Sequence, residues 1–135
     1  MKQKYEILEH PADLKIRAYG QNLSELFNNV LLAMTEAMKP RVIEQNFISQ
    51  KIDLKANNLE NLLIDFLSEV IYQTDLNNLV YSRAEFDKIN EQELSGKIFG
   101  QKIKTLETEI KAVTWHDLEV KKENNQWRAI LIFDL

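Results

Sequence analysis

Cysteine is absent from this 135-residue chain, and glycine and proline are scarce, with three and two copies. Without a thiol there is no disulfide framework, no thiolate metal centre and no cysteine nucleophile. The few glycines form no Gly-rich strand-to-helix turn, which counts against a phosphate-cradling loop. No apolar run reaches the roughly 18–20 residues of a membrane span, and Met1-Lys2-Gln3-Lys4-Tyr5-Glu6 lacks the apolar core of a secretory signal. A cytoplasmic protein without a membrane partner is the expectation. A surplus of positive charge is missing too: 17 basic against 21 acidic residues leave a net charge of −4. Such a balance argues against a surface built to coat nucleic acid, so no strong direct nucleic-acid binding is expected. The close lysines Lys102/Lys104 and Lys121/Lys122 read as solvated faces.

What is present suits one ordinary domain, residues 1–135, with 44% apolar and 28% charged residues. Two amphipathic helices stand out. Leu23, Leu26, Phe27, Val30, Leu31, Met34 and Met38 recur at helical spacing, with Asn22 and Glu25 as a capping pair and Pro40 as a stop. Leu59, Leu62, Leu63, Phe66, Leu67, Val70 and Ile71 repeat the stripe, capped by Asn57 or Asn58. Elsewhere the pattern alternates. Leu14, Ile16 and Ala18 point one way while Lys15, Arg17 and Tyr19 point the other, and Ile48, Ile52, Leu54 and Ala56 form a second apolar edge. Further strands are predicted near Val80–Ile89, Glu93–Phe99, Glu109–Val120 and Trp127–Leu135. Asn124-Asn125 suits a tight hairpin turn, and the polar, basic stretch Gly100–Leu106 suits a mobile loop. The order β-β-α-β-α-β-β-β-β points to an α+β fold, two main helices packed on mostly antiparallel sheet, because the last connections are too short for crossover helices.

Candidate chemistry gathers at two acidic strand ends. Asp13 opens a strand whose start is stiffened by Pro11, with His10 three residues earlier. Asp134 follows the apolar run Ile130-Leu131-Ile132-Phe133 and precedes only Leu135, so a side-chain carboxylate and the terminal carboxylate lie together. Oxygen-rich clusters without sulfur select hard cations, Ca²⁺, Mg²⁺ or Mn²⁺. The competing interpretation is a sheet end lying in water. His10, His116 and Asp65 are auxiliary candidates. His116 closes the strand Lys111-Ala112-Val113-Thr114-Trp115-His116, with Trp115 as a core or interface anchor, and Asp65 shares a helix face with Glu69. Ser24, Ser68 and Ser95 have no nucleophile context.

Several segments, in order and along the full length, resemble the archease family. Glu9-His10-Pro11-Ala12-Asp13-Leu14 resembles its EHTAD(I/V) signature, and Ala18-Tyr19-Gly20 its A-x-G strand end. Leu23-Ser24-Glu25-Leu26-Phe27-Asn28-Asn29 is similar to its first helix, and Leu62-Leu63-Ile64-Asp65-Phe66-Leu67-Ser68-Glu69 to its second. Lys111–His116 is similar to its KA(V/I)TYH strand, and Phe133-Asp134-Leu135 to its terminal x-D-(I/L/V). Two departures are visible: Pro11 stands where the family usually has Thr, and Trp115 where it has Tyr.

The resemblance implies an accessory protein, not an enzyme. It would serve an RtcB-type RNA ligase in tRNA splicing and RNA repair, promoting guanylylation of the ligase histidine and turnover. GTP and RNA would be reached only through that ligase. It also implies a divalent-metal site, calcium among the candidate ions, made by Asp13, Asp134 and Leu135. The implied fold pairs strand-helix-strand-strand modules, one nested in the other, so first and last strands share one site. The alternative is an independent metal-dependent hydrolase acting on a phosphoester or nucleotide, using the same ion to activate water.

Overall fold

Helix α1 (Leu23–Ala37) starts where the Asn22 side chain accepts the Glu25 backbone N–H at 2.8 Å. Its stripe does what the spacing predicts: Leu26, Phe27, Val30, Leu31 and Met34 are fully buried. Asn58 caps α2 (Leu59–Asn77) in the same way, through the Asn61 N–H at 2.8 Å. Asn78 closes that helix in the left-handed conformation that an asparagine tolerates. The structure, a computed structural model, describes residues 3–8 and 12–135.

The strands are β1 (Tyr5–Leu8), β2 (Asp13–Gly20), β3 (Pro40–Val42), β4 (Ile48–Lys55), β5 (Leu79–Ile89), β6 (Glu93–Leu106), β7 (Ala112–Glu123) and β8 (Gln126–Asp134). All pairings are antiparallel. The first sheet has the order β1-β2-β8-β7. In the second, β6 is the spine, flanked by β5 and β4, with β3 pairing its last residues. Compared with the order predicted from sequence, β3 is an additional short strand.

The stretch Gly100–Leu106, expected as a mobile loop, is instead the last half of β6. Ile103 is buried between outward-facing Lys102 and Lys104. The backbone of Ile103 bonds to Asn78 twice, N–H to the Asn78 carbonyl at 3.2 Å and carbonyl to Asn78 Nδ2 at 3.0 Å. Pairing with β3 and β5 and the apolar anchors Ile103 and Leu106 hold it as strand; the alternation was masked by its solvated side.

Both helices pack on the inner faces of the sheets, α1 against β2 and β5, α2 against β7, β5 and β4. Phe27, Phe66 and Phe86 join them as a ring cluster with centroids 5.4–6.2 Å apart. Helix α1 also covers backbone groups of β5 that face away from β6. Asn28 accepts from the Ala84 N–H at 2.7 Å and donates to the Ala84 carbonyl at 3.1 Å, and Thr35 Oγ1 donates to the Tyr81 carbonyl. An uncovered edge of that kind would invite pairing with another chain. The Asn124-Asn125 turn joins β7 to β8 with φ values of 52° and 61°, as predicted for a tight hairpin.

Candidate functional site

Register decides the site. The inward residues Leu14, Ile16 and Ala18 of β2 face Phe133, Leu131 and Ala129 of β8, all part of or packed against one core. Sliding the pair by one residue would turn the buried set to solvent, so the burial pins the alignment. With that alignment, Asp13 falls directly opposite Asp134. Residues so opposed in an antiparallel pair put their side chains on the same face, with Cβ atoms about 4.5–5.5 Å apart. Two strand ends that are far apart in sequence therefore present two carboxylates side by side.

Asp134 is exposed and Asp13 half-buried. Because β8 lies inside its sheet, Asp134 is held from both sides: it also opposes Ala112 of β7, and its carbonyl accepts the Lys111 N–H at 2.9 Å. Asp13 is set by the turn before it, where Ala12 sits at φ 64°, a region that non-glycine residues seldom enter. Leu135 follows with 41% of its surface exposed.

Two cations further along this outer face, Arg17 and Arg128, bond other carboxylates. Arg17 donates to Glu6 at 2.6 Å, and Tyr19 donates to the same carboxylate at 2.9 Å. The Arg17 bond, with that of Tyr19, holds the Glu6 carboxyl below its ordinary range. Arg128 bonds Glu119 at 2.9 Å; Lys121 first, and Arg128 with it, lower the Glu119 carboxyl. Asp134 makes no ion pair among the described residues.

The auxiliary candidates fare differently. His10, with Glu9 and Pro11 of the signature, lies outside the described residues. His116 belongs to an insertion in β7: Thr114 opposes Ile132 and Glu119 opposes Ile130, so Trp115–Leu118 all bulge opposite Leu131. The strand predicted near Glu109–Val120 is β7, Ala112–Glu123, but His116, read as its amphipathic end, lies in the bulge part-way along it. Trp115, expected as a core or interface anchor, is 55% exposed, so it anchors no core. The His116 Nε2 stands 3.6 Å from Asp117, whose φ of 55° turns the bulge. Asp65 is on the solvent side of α2. Neither joins the aspartates, since no three His, Cys, Asp or Glu side chains converge as a metal-holding group among the described residues. Sequence reasoning missed the part of Lys111, whose N–H fixes the end of β8; its place at the head of a strand was the signal available.

Comparison with known proteins agrees with the resemblance. The model of the Archease protein family (MTH1598/TM1083) matches residues 5–135. The "Protein archease" of Methanosarcina acetivorans is 35% identical over 141 residues, covering 98% of this chain and 97% of the relative. That of Pyrococcus furiosus is 33% identical over 143 residues, covering 98% and 99%. Among solved structures, the solution structure of Methanobacterium thermoautotrophicum protein 1598 superposes with a TM-score of 0.74 at 28% identity, covering 97% of this chain and 98% of that one. A Thermotoga maritima archease, described as a possible chaperone, shares the fold with a TM-score of 0.71 at 22% identity, covering 100% and 98%.

Proposed function

Since the chain belongs to the archease family, we propose that it is an accessory factor for an RtcB-type RNA ligase, promoting guanylylation and turnover of that enzyme in tRNA splicing or RNA repair. The observation that carries this is the register that sets Asp13 against Asp134 at one end of the first sheet. A paired carboxylate on a rigid strand end is suited to entering another protein's cleft, because the sheet positions it without a flexible loop.

The donors fit a hard divalent cation: two carboxylates on one face, oxygen only, with no cysteine in the chain. Asp13 and Asp134 would hold the ion, together with the Leu135 carboxylate where that residue is the chain's last. A bound ion would supply positive charge to a phosphate or triphosphate oxygen. The chain's own contribution is placement. Lys111 and β2 clamp the Asp134 backbone from either side, and the Ala12 turn aims Asp13. Like charges placed directly opposite destabilise a sheet, and a cation or basic cleft relieves that repulsion.

The test is multiple-turnover RNA ligation by the cognate RtcB-type enzyme in GTP and Mn²⁺, with and without this protein. Stimulation at substoichiometric protein, lost in Asp13→Asn and Asp134→Asn variants that remain folded, is the expected result. No stimulation of a demonstrably active ligase, or full stimulation by Asp134→Asn, sinks the assignment.

A further inference from the structure

The outer face of the second sheet carries a different constellation. Both helices pack on the inner side, with Ile52, Ala84, Leu94 and Ile98 buried against them. The residues between those point outward in rows set by register. Ser49, Phe99 and Arg83 form one row; Lys51, Lys97 and Glu85 the next; Asp53, Ser95 and Lys88 a third. The first row holds an aromatic platform. The Arg83 guanidinium lies 4.0 Å from the Phe99 ring centroid and 5.6 Å from that of Phe47. Phe47 is 48% exposed. Its loop is fixed to the sheet, for Gln101 Nε2 donates to the Glu44 and Gln45 carbonyls at 3.4 and 3.1 Å, and the Ile43 N–H bonds to the Lys102 carbonyl at 2.9 Å. The rings and guanidinium are thus pre-positioned at the surface instead of packed into the core.

The second row adds charge. Lys51 and Lys97 stand directly opposite each other, a pairing that costs stability. Arg83 pairs with Glu85 at 3.0 Å and Lys88 with Glu93, but Lys51 and Lys97 form no ion pair among the described residues. Asp53 and Glu85 flank them and moderate the field without neutralising it.

We propose that this face binds single-stranded nucleic acid weakly, a base stacking on the Phe47–Arg83–Phe99 platform and the backbone phosphates lying over Lys51 and Lys97. Stacking on aromatic or guanidinium planes beside a basic track is how single strands are held without sequence readout. An acidic peptide would satisfy the lysines and leave the platform unused. The overall charge of −4 hides this site because it sums over the whole chain, whereas the attraction is local. The proposal requires no ligase and is independent of the metal-site assignment.

The test is fluorescence anisotropy of this protein alone with a short labelled single-stranded RNA, a DNA of the same sequence, and labelled polyglutamate. Engaging two phosphates gives a slope of about −1.4 in log affinity against log salt, or about sevenfold between ~50 and ~200 mM salt. Phe47→Ala should weaken binding about tenfold with the slope unchanged. Lys51→Ala/Lys97→Ala should flatten the slope, and Lys121→Ala/Lys122→Ala, on the other sheet, should alter neither. Circular dichroism and melting check that each variant is folded. Preference for RNA or DNA identifies the strand, and either supports the proposal. Binding of polyglutamate equal to that of RNA, equal loss on both lysine pairs, or no binding at ~50 mM salt overturns it. Because ligase stimulation is scored separately, its absence does not bear on this result.

Discussion

Replacing Asp134 with asparagine should have opposite effects on stability depending on whether a divalent ion is present. Without an ion, the substitution removes one of two like charges that the β2–β8 register places face to face. Such an opposition is worth at most about 1 kcal/mol. With an unfolding entropy of about 2.1 cal/mol/K per residue, the 135-residue chain loses about 0.28 kcal/mol per degree near its midpoint. Asp134→Asn in chelator should therefore raise Tm by up to about 3–4 °C. With an ion at about 100 times its Kd, the native wild-type protein gains about 2.7 kcal/mol, close to 10 °C by the same conversion. The variant, with a carboxylate missing from the donor set, should lose most of that gain. Scanning calorimetry of both proteins in chelator, Ca²⁺, Mg²⁺ and Mn²⁺ decides the matter: the order of Tm values must reverse between chelator and the binding ion. A wild-type Tm indifferent to every ion, or a variant that keeps the full shift, refutes the idea that these two aspartates form a cation site.

Other expectations follow from the packing. Asn28→Ala removes both bonds that α1 makes to the Ala84 backbone, leaving two groups that cost about 1–3 kcal/mol each to strand; urea unfolding should show a loss of about 2–6 kcal/mol, and the Ala84 amide should lose hydrogen-exchange protection. A Tyr5→Phe comparison should isolate an alkaline transition. Burial first, then the Glu36 carboxylate that its hydroxyl bonds, push the Tyr5 phenol up to about 12. Because the native pKa lies above the unfolded value of about 10, the contribution is complete below pH 10 and is lost as pH rises toward 12. Burial also raises Tyr19 and Tyr81, so tyrosinate absorbance should show the variant losing one of several late-titrating rings.

How much of this was legible in the sequence depends on the range over which each signal acts. The helices are local objects: an apolar stripe, an asparagine cap and a stop were all within a few residues, and the burial of Leu26, Phe27, Leu62 and Phe66 follows. The Asn124-Asn125 turn was legible for the same reason. Residue patterns alone did not reveal the opposition of Asp13 to Asp134, which depends on matching Leu14, Ile16 and Ala18 to partners at the far end of the chain; the family resemblance implied only that the two strands share a site. Two acidic strand ends were visible; their alignment was a matter of register. The Trp115–Leu118 bulge was hidden differently. An aromatic in a β-branched, apolar context reads as core, and only the mismatch between Thr114 and Glu119 against β8 turns it outward. Gly100–Leu106 misled through composition, since a strand wet on one side and thinly anchored on the other looks polar throughout.

The second sheet keeps a like-charged cross-strand pair that a stability-optimised fold would not retain, Lys51 with Lys97. Fold-level reasoning alone would predict that it can be improved by a charge reversal. Lys51→Glu is the cleaner case, because Lys51 lies on β4 and opposes only Lys97, whereas Lys97 also opposes Glu85. The substitution converts a repulsive pair into an attractive one, a change of roughly 0.5–1.5 kcal/mol when the two effects are added. By the same entropy it should raise Tm by about 2–5 °C. If the surface exists for a ligand, the stabilised variant should bind single-stranded nucleic acid at least about tenfold more weakly at low salt. A gain in stability with loss of binding is the trade-off expected where a charged site is held against the interest of the fold. A stabilised variant with undiminished binding would reduce the lysine pair to an unoptimised corner of the surface.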